Sequence, residues 1–239
     1  MKLEFPCKRS NALTLTEVLV ILALIAILAA MLIPATSNRK KALRVLCMNN
    51  LKQTAIAFKI WSPDQSDKYP TQVSVKWSGA QELVVTRYVG ALFQVMSNEL
   101  TTPNILICPA DASRHWATNF TTDFGNRNIS YFIGLDASED DPDSILIGDD
   151  NFEIGGVPVK SIVLQISTNT PLAWTGERHQ FIGNIALADG SVQTTTASSL
   201  TNAIIKQYLS EFLKPSRFTN VASSESAFSK TNRFRFAIP

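Results

Sequence analysis

One stretch constrains this chain more than any other: residues 18–33, VLVILALIAILAAMLI, are apolar and uncharged throughout. A helix that crosses the hydrocarbon core of a bilayer needs roughly 20 apolar residues, within a range of about 17–25. Leu13, Leu15 and Ala35, with Thr14, Thr16 and Glu17 interspersed, bring the run to that length, so residues 13–35 are expected to form a transmembrane helix. A secretory signal peptide fits the same hydropathy: Lys2, Lys8 and Arg9 supply a basic start, and Ala35-Thr36-Ser37 a small-residue cut. Hydropathy divides evenly between the two. Arg39, Lys40, Lys41 and Arg44 follow the run, so flanking charge, read by the positive-inside rule, leans slightly against an anchor with its N-terminus inside.

Residues 36–61 contain neither Gly nor Pro, and Leu43, Cys47, Leu51, Ala55 and Phe58 recur on one helical face. One helix is therefore expected from about Leu13 to Trp61, bent at Pro34, where a backbone hydrogen bond is lost. Its second half, 36–61, is amphipathic, and Ser62-Pro63-Asp64 ends it. A second helix is expected over 80–98, with Leu83, Arg87, Gly90, Phe93 and Val95 near one side. Strands are expected at 144–149, 161–166, 183–188 and 191–196. Asp189-Gly190 between alternating residues reads as a two-residue type I′ hairpin that sets Leu187 opposite Val192 and Ile185 opposite Thr194. Residues 198–213 read as an amphipathic helix burying Leu200, Ile204, Ile205, Tyr208, Leu209 and Phe212, stopped by Pro215. The tail, 215–239, is read as an edge strand or as disordered. The fold class is α+β, with the long helix packed on an antiparallel sheet in a head spanning 62–214.

Composition excludes more than it nominates. A net charge of +2 over 239 residues, with no Lys/Arg stripe interleaved with aromatics, does not suggest nucleic acid. Two histidines, His115 and His179, and three cysteines, Cys7, Cys47 and Cys108, show no zinc-site spacing. No nucleophile elbow, H-E-x-x-H or phosphate loop is present, so no catalytic residue, cofactor or enzyme activity is assigned. The acidic run 136–143 reads as a solvated loop, with calcium there or at Asp149-Asp150-Asn151 as the alternative.

The order of residues entering the apolar run, Asn11-Ala12-Leu13-Thr14-Leu15-Thr16-Glu17-Val18, resembles the type IV prepilin signal. The resemblance implies a leader, 1–12, removed between Ala12 and Leu13 by a prepilin peptidase, with methylation of the new Leu13 amine. The family more often has Gly and Phe at the positions of Ala12 and Leu13. Glu17 becomes the fifth residue of the processed chain and Pro34 the twenty-second, the usual place of a helix-bending proline. A carboxylate one turn into an apolar helix costs roughly 2.5–3.5 kcal/mol to insert. A neighbouring subunit's Leu13 amine would give Glu17 a partner and set the register of a fibre. Favourable placement of an acid in a helix's first turn is the plainer account of Glu17.

A second set of points resembles the prepilin-type processing-associated H-x9-DG family. These are Cys47-Met-Asn-Asn-Leu-Lys-Gln53, Cys108-Pro-Ala-Asp111, Ser130-Tyr131, Gly148-Asp149, and His179 followed after nine residues by Asp189-Gly190. It implies a pilin-like architecture and no biochemical activity. His179 reads as structural and Asp189-Gly190 as a turn. Together the resemblances imply a single-pass bacterial inner-membrane protein with a periplasmic head. Its expected function is that of a pseudopilin-like subunit of a type II secretion or type IV pilus-like fibre. Its expected partners are other pilin-like subunits and the inner-membrane assembly platform. Without Cys7 the processed chain holds Cys47 and Cys108, a candidate disulfide in an oxidising periplasm, closing a loop worth about 4 kcal/mol. Two other functions compete. One is an anchored module binding polysaccharide or an exported substrate without polymerising, through Trp61, Trp77, Trp116 or Trp174. The other is an envelope hydrolase.

Overall fold

The structure, a computed structural model, describes residues 14–32, 35–83, 88–159, 163–212 and 234–239. The chain divides into two compact units after Lys41. Ala12, Leu13 and Pro34 lie outside the described residues.

In the first unit, α1 (Leu15–Leu32) opens with a capping box. Glu17 Oε2 accepts the Thr14 N–H at 2.8 Å, and Thr14 Oγ1 accepts the Glu17 N–H at 3.3 Å. From Leu15 to Leu28 its large apolar side chains are exposed, from 41% at Val18 to 80% at Leu15. Among the described residues no helix is long and apolar enough to cross a membrane. At about 1.5 Å per residue α1 spans roughly 27 Å, just short of a hydrocarbon core of about 30 Å.

The next helix, α2 (Ala35–Trp61), carries the second unit's first buried face: Cys47, Leu51, Ala55 and Phe58, at the spacing read from the sequence. It ends at Trp61, where residues 62–65 continue as a 3-10 turn closed by Ser66 in the left-handed region. Two short helices follow, α3 (Val89–Val95) and α4 (Ser97–Leu100).

Among the described residues nine short strands come next: β1 (Tyr131–Gly134), β2 (Ile145–Asp149), β3 (Phe152–Ile154), β4 (Val157–Pro158), β5 (Val163–Ile166), β6 (Leu172–Trp174), β7 (Gly183–Leu187), β8 (Val192–Thr195) and, after helix α5 (Ala197–Phe212), β9 (Phe234–Ala237). They form a six-stranded sheet, β5-β9-β1-β2-β7-β8, and a three-stranded one, β4-β3-β6, with antiparallel neighbours throughout. The protein is thus α+β with an antiparallel sheet.

The large sheet is apolar on both faces. Tyr131, Ile133, Leu146, Ile147 and Ala186 share one core with the buried face of α2. Phe132, Ile145, Ile185, Leu187, Phe234 and Phe236 share the other with Leu200 and Ile204 of α5. Alternation holds along β1 and β7 but slips in β2, where a register shift between Ile145 and Ile147 accompanies two successive residues in the first core.

Four expectations change. The hairpin turns over three residues, with Gly190 N–H bonded to Leu187 O and Leu187 N–H to Ser191 O, both at 2.9 Å. Only Gly190, φ +82°, has a positive φ there, whereas type I′ requires two. The register moves by one, pairing Ala186 with Val192 and Ile185 with Gln193. Of the helix expected over 80–98, the start is lost, since Ala80 and Gln81 donate their N–H groups back to Pro70 O and Val73 O; residues 84–87 lie outside the described residues, and α3 covers Val89–Val95. On α5, Gln207 is buried and accepts the Ile145 N–H at 3.2 Å, while Leu209 is 48% exposed. Finally, β9 is no edge strand: it lies between β5 and β1.

Candidate functional site

Four side chains from distant parts of the head converge beneath α2. Cys47 comes from its buried face. Cys108 sits just after the 3-10 turn Pro103–Leu106, in a loop held to α2 by Asn50 Nδ2 donating to Ile107 O at 2.9 Å. Asp149 is the last residue of β2. His179 lies between β6 and β7, in a segment where Gln180 and Phe181 adopt positive φ and Arg44 donates to His179 O at 3.3 Å.

Their ligand atoms, one from each side chain, all lie within 4.8 Å of one another. Cys47 Sγ donates to Asp149 Oδ1 at 3.2 Å, and Cys108 Sγ is 3.3 Å from His179 Nε2. His179 Nε2 is 3.6 Å from Asp149 Oδ2. All four residues are buried, His179 the least so at 3% exposure.

Burial governs the electrostatics. It pushes the Cys47 thiol and the Tyr131 phenol well up, and raises the Asp149 carboxyl against the pull of His179 and Arg178. Cys108 moves the other way, to about 6, through its hydrogen bonds with Cys47 and then His179, which outweigh burial. On His179, burial favours the neutral ring, but the Cys108 contact and the Asp149 charge leave its pKa raised.

A Cys–His–Asp relay would need the carboxylate on the ring nitrogen opposite the one facing sulfur. Here both Cys108 and Asp149 approach Nε2. The arrangement is convergence on a point rather than the geometry of that relay.

Beside the cluster lies a second buried polar group. Arg178 binds Asp111 Oδ2 at 2.8 Å, Ser130 O at 2.8 Å, and the carboxylate of Asp150, which Arg114 also grips. Burial disfavours the Asp111 carboxylate, yet Arg178 and the Ser113 and Ser130 hydroxyls hold its pKa below the usual range.

The expected site residues therefore separate. Glu17 caps α1. Cys47 and Cys108 come together, but as free thiols rather than the expected disulfide, each engaged by a different partner. His179 joins them, whereas Asp189-Gly190 turns the β7–β8 hairpin, its carbonyls accepting from Lys59 and Lys52 of α2. Calcium at Asp149-Asp150-Asn151 finds little support, since guanidinium groups take the Asp150 oxygens and Asn184 and Cys47 those of Asp149. In the acidic run, Asp136, Glu139, Asp141 and Asp143 each have a separate partner: Arg235, Ser62, Ser210 and Lys206. Trp61 and Trp174 are buried; Trp77 and Trp116 are exposed.

Sequence reasoning missed the cluster as a unit because no two of its members share a local spacing. One signal was present: Cys47, Cys108, Asp149 and His179 all fall within the motif points that carried the H-x9-DG resemblance. No family model matches the chain, nor does any curated protein or solved structure.

Proposed function

We propose that the protein is a pilin-like, pseudopilin-type structural subunit, inserted by residues 13–35, processed between Ala12 and Leu13, and assembled through its apolar helix. The observation that carries this reading is α1. Its apolar side chains are exposed around the helix, and a helix apolar on every side requires apolar cover from lipid or from other helices. Leu13 and residues 33–35 extend α1's sequence to spanning length. The Thr14–Glu17 capping box supports a defined helix start just past the proposed cut, leaving the second Glu17 oxygen for an amine of a neighbouring copy.

N-terminal sequencing of the membrane-extracted protein tests the reading. A start at N-methyl-Leu13 is expected; a start near Asn38 would exclude any anchor. Glu17→Ala then separates fibre from lone anchor, since loss of cross-linkable oligomers is expected while membrane insertion is kept. Unchanged assembly, or no assembly in the parent, would favour the second reading, a single-pass binding module. That reading is supported by Trp77 and Trp116, 68% and 61% exposed on the head.

A further inference from the structure

We propose that Cys47, Cys108, Asp149 and His179 bind one zinc ion in a closed, structural site that fastens α2 to the sheet. The inference stands apart from the pilin-like reading, since every ligand belongs to the second compact unit, Ala42–Pro239.

Geometry comes first. Zinc binds sulfur at about 2.3 Å and nitrogen or carboxylate oxygen at about 2.0–2.2 Å, so a tetrahedral site sets its ligand atoms roughly 3.3–3.8 Å apart. Cys47 Sγ to Asp149 Oδ1, 3.2 Å, and Cys108 Sγ to His179 Nε2, 3.3 Å, are already close to that size, and with one ligand atom from each side chain no separation exceeds 4.8 Å, so small side-chain rotations close the site. Ordinary buried hydrogen bonding brings side chains together in pairs. Here four donors of four different segments surround one point.

The chemistry of the set is equally selective. Two thiolates, an imidazole and one carboxylate suit zinc and are poor ligands for calcium or magnesium. Four protein ligands leave no position for water, and burial excludes it, so the site holds structure rather than activating a nucleophile. A supporting shell is present. Asp149 Oδ2 accepts the Asn184 N–H at 2.7 Å and Asn184 Nδ2 at 2.9 Å, and Asn184 Oδ1 accepts Thr194 Oγ1 at 2.9 Å. Tyr131 Oη lies 3.5 Å from Cys47 Sγ. A disulfide would engage the two sulfurs and take from His179 Nε2 and Asp149 Oδ1 the sulfur contacts they make; a metal engages all four side chains. Binding displaces to solvent the protons that the two sulfurs and the imidazole share, with no redox change.

The test uses the full chain in detergent, produced with a tag free of histidine, equilibrated with zinc and then dialysed. Elemental mass spectrometry is expected to find zinc stoichiometric with the chain, with both thiols protected from alkylation until a chelator is added. Cobalt in place of zinc should give sulfur-to-cobalt charge-transfer absorption and tetrahedral d–d bands. Asp149→Asn keeps the side chain's shape and should shift the d–d bands and weaken zinc binding at least tenfold. Cys108→Ser should remove part of the charge-transfer intensity. Folded parent protein that retains no zinc overturns the proposal, whether its thiols alkylate freely or its mass is lower by the two hydrogens of a Cys47–Cys108 disulfide. Zinc binding unaltered in both variants overturns it as well.

Discussion

Replacing Arg178 with Ala should be among the most damaging single changes in the head. The Arg178 side chain is 8% exposed, and its guanidinium serves Asp111, Asp150 and the Ser130 carbonyl together. Removing one member of a buried ion pair typically costs about 3–5 kcal/mol, because the remaining charge is left without a partner. Arg114 still grips Asp150, and Ser113 and Ser130 still donate to Asp111, which places the expected loss near the low end, about 3 kcal/mol. At about 2–4 °C per kcal/mol for a domain of this size, the melting temperature should fall by roughly 6–12 °C at pH 7. The effect must also depend on pH. The folded Asp111 carboxyl has a pKa below its unfolded value, so its contribution is complete above about pH 4 and is lost as pH falls through the lower, folded value. The difference between thermal melts of parent and Arg178→Ala protein, followed by circular dichroism from pH 7 to pH 3, should therefore begin to narrow at the acid end. A difference that stays constant across that range, or a loss below about 1 kcal/mol at pH 7, would refute the charge-based account.

Other substitutions probe packing and turn chemistry. At Gly134 an added Cβ would sit 1.9 Å from Ile145 O, a backbone atom in the adjoining strand, so Gly134→Ala should cost about 3 kcal/mol or more in urea unfolding. Gly190→Ala meets only ordinary contacts and should cost about 1 kcal/mol, from its positive φ alone. Gln207→Leu leaves the buried Ile145 N–H without its acceptor, and a loss of about 1–3 kcal/mol is expected by the same measurement. Thr14→Val removes the α1 cap and should lower the helicity of a peptide spanning residues 13–35 in detergent micelles without affecting the head's melting temperature.

The parts of the fold legible in the sequence are those whose pattern is local. The buried face of α2 follows from Cys47, Leu51, Ala55 and Phe58 at helical spacing, and β2 and β7 from short apolar runs ending in turn residues. What escaped depends on partners far along the chain. Strands β1 and β9 are four residues each, and Phe234-Arg-Phe-Ala237 earns its place in the sheet only from the facing Val163–Ile166 and Tyr131–Gly134. The hairpin's register hinged on a single dihedral at Asp189, which dipeptide statistics do not determine. The metal-ligand set was legible only as scattered motif points, because closeness in space came from tertiary packing and not from any spacing rule.

The interior position of β9 has a consequence for how the head is made. The strand that joins β5 to β1 is drawn from residues 234–237, so the six-stranded sheet cannot close until those residues are available. A head that β9 has not yet joined offers two open strand edges, on β5 and on β1, which are the kind of edge that pairs with other chains. Completion of this sheet is thus tied to the arrival of residues 234–237, and chains lacking β9 are the ones that quality-control proteases and chaperones should capture.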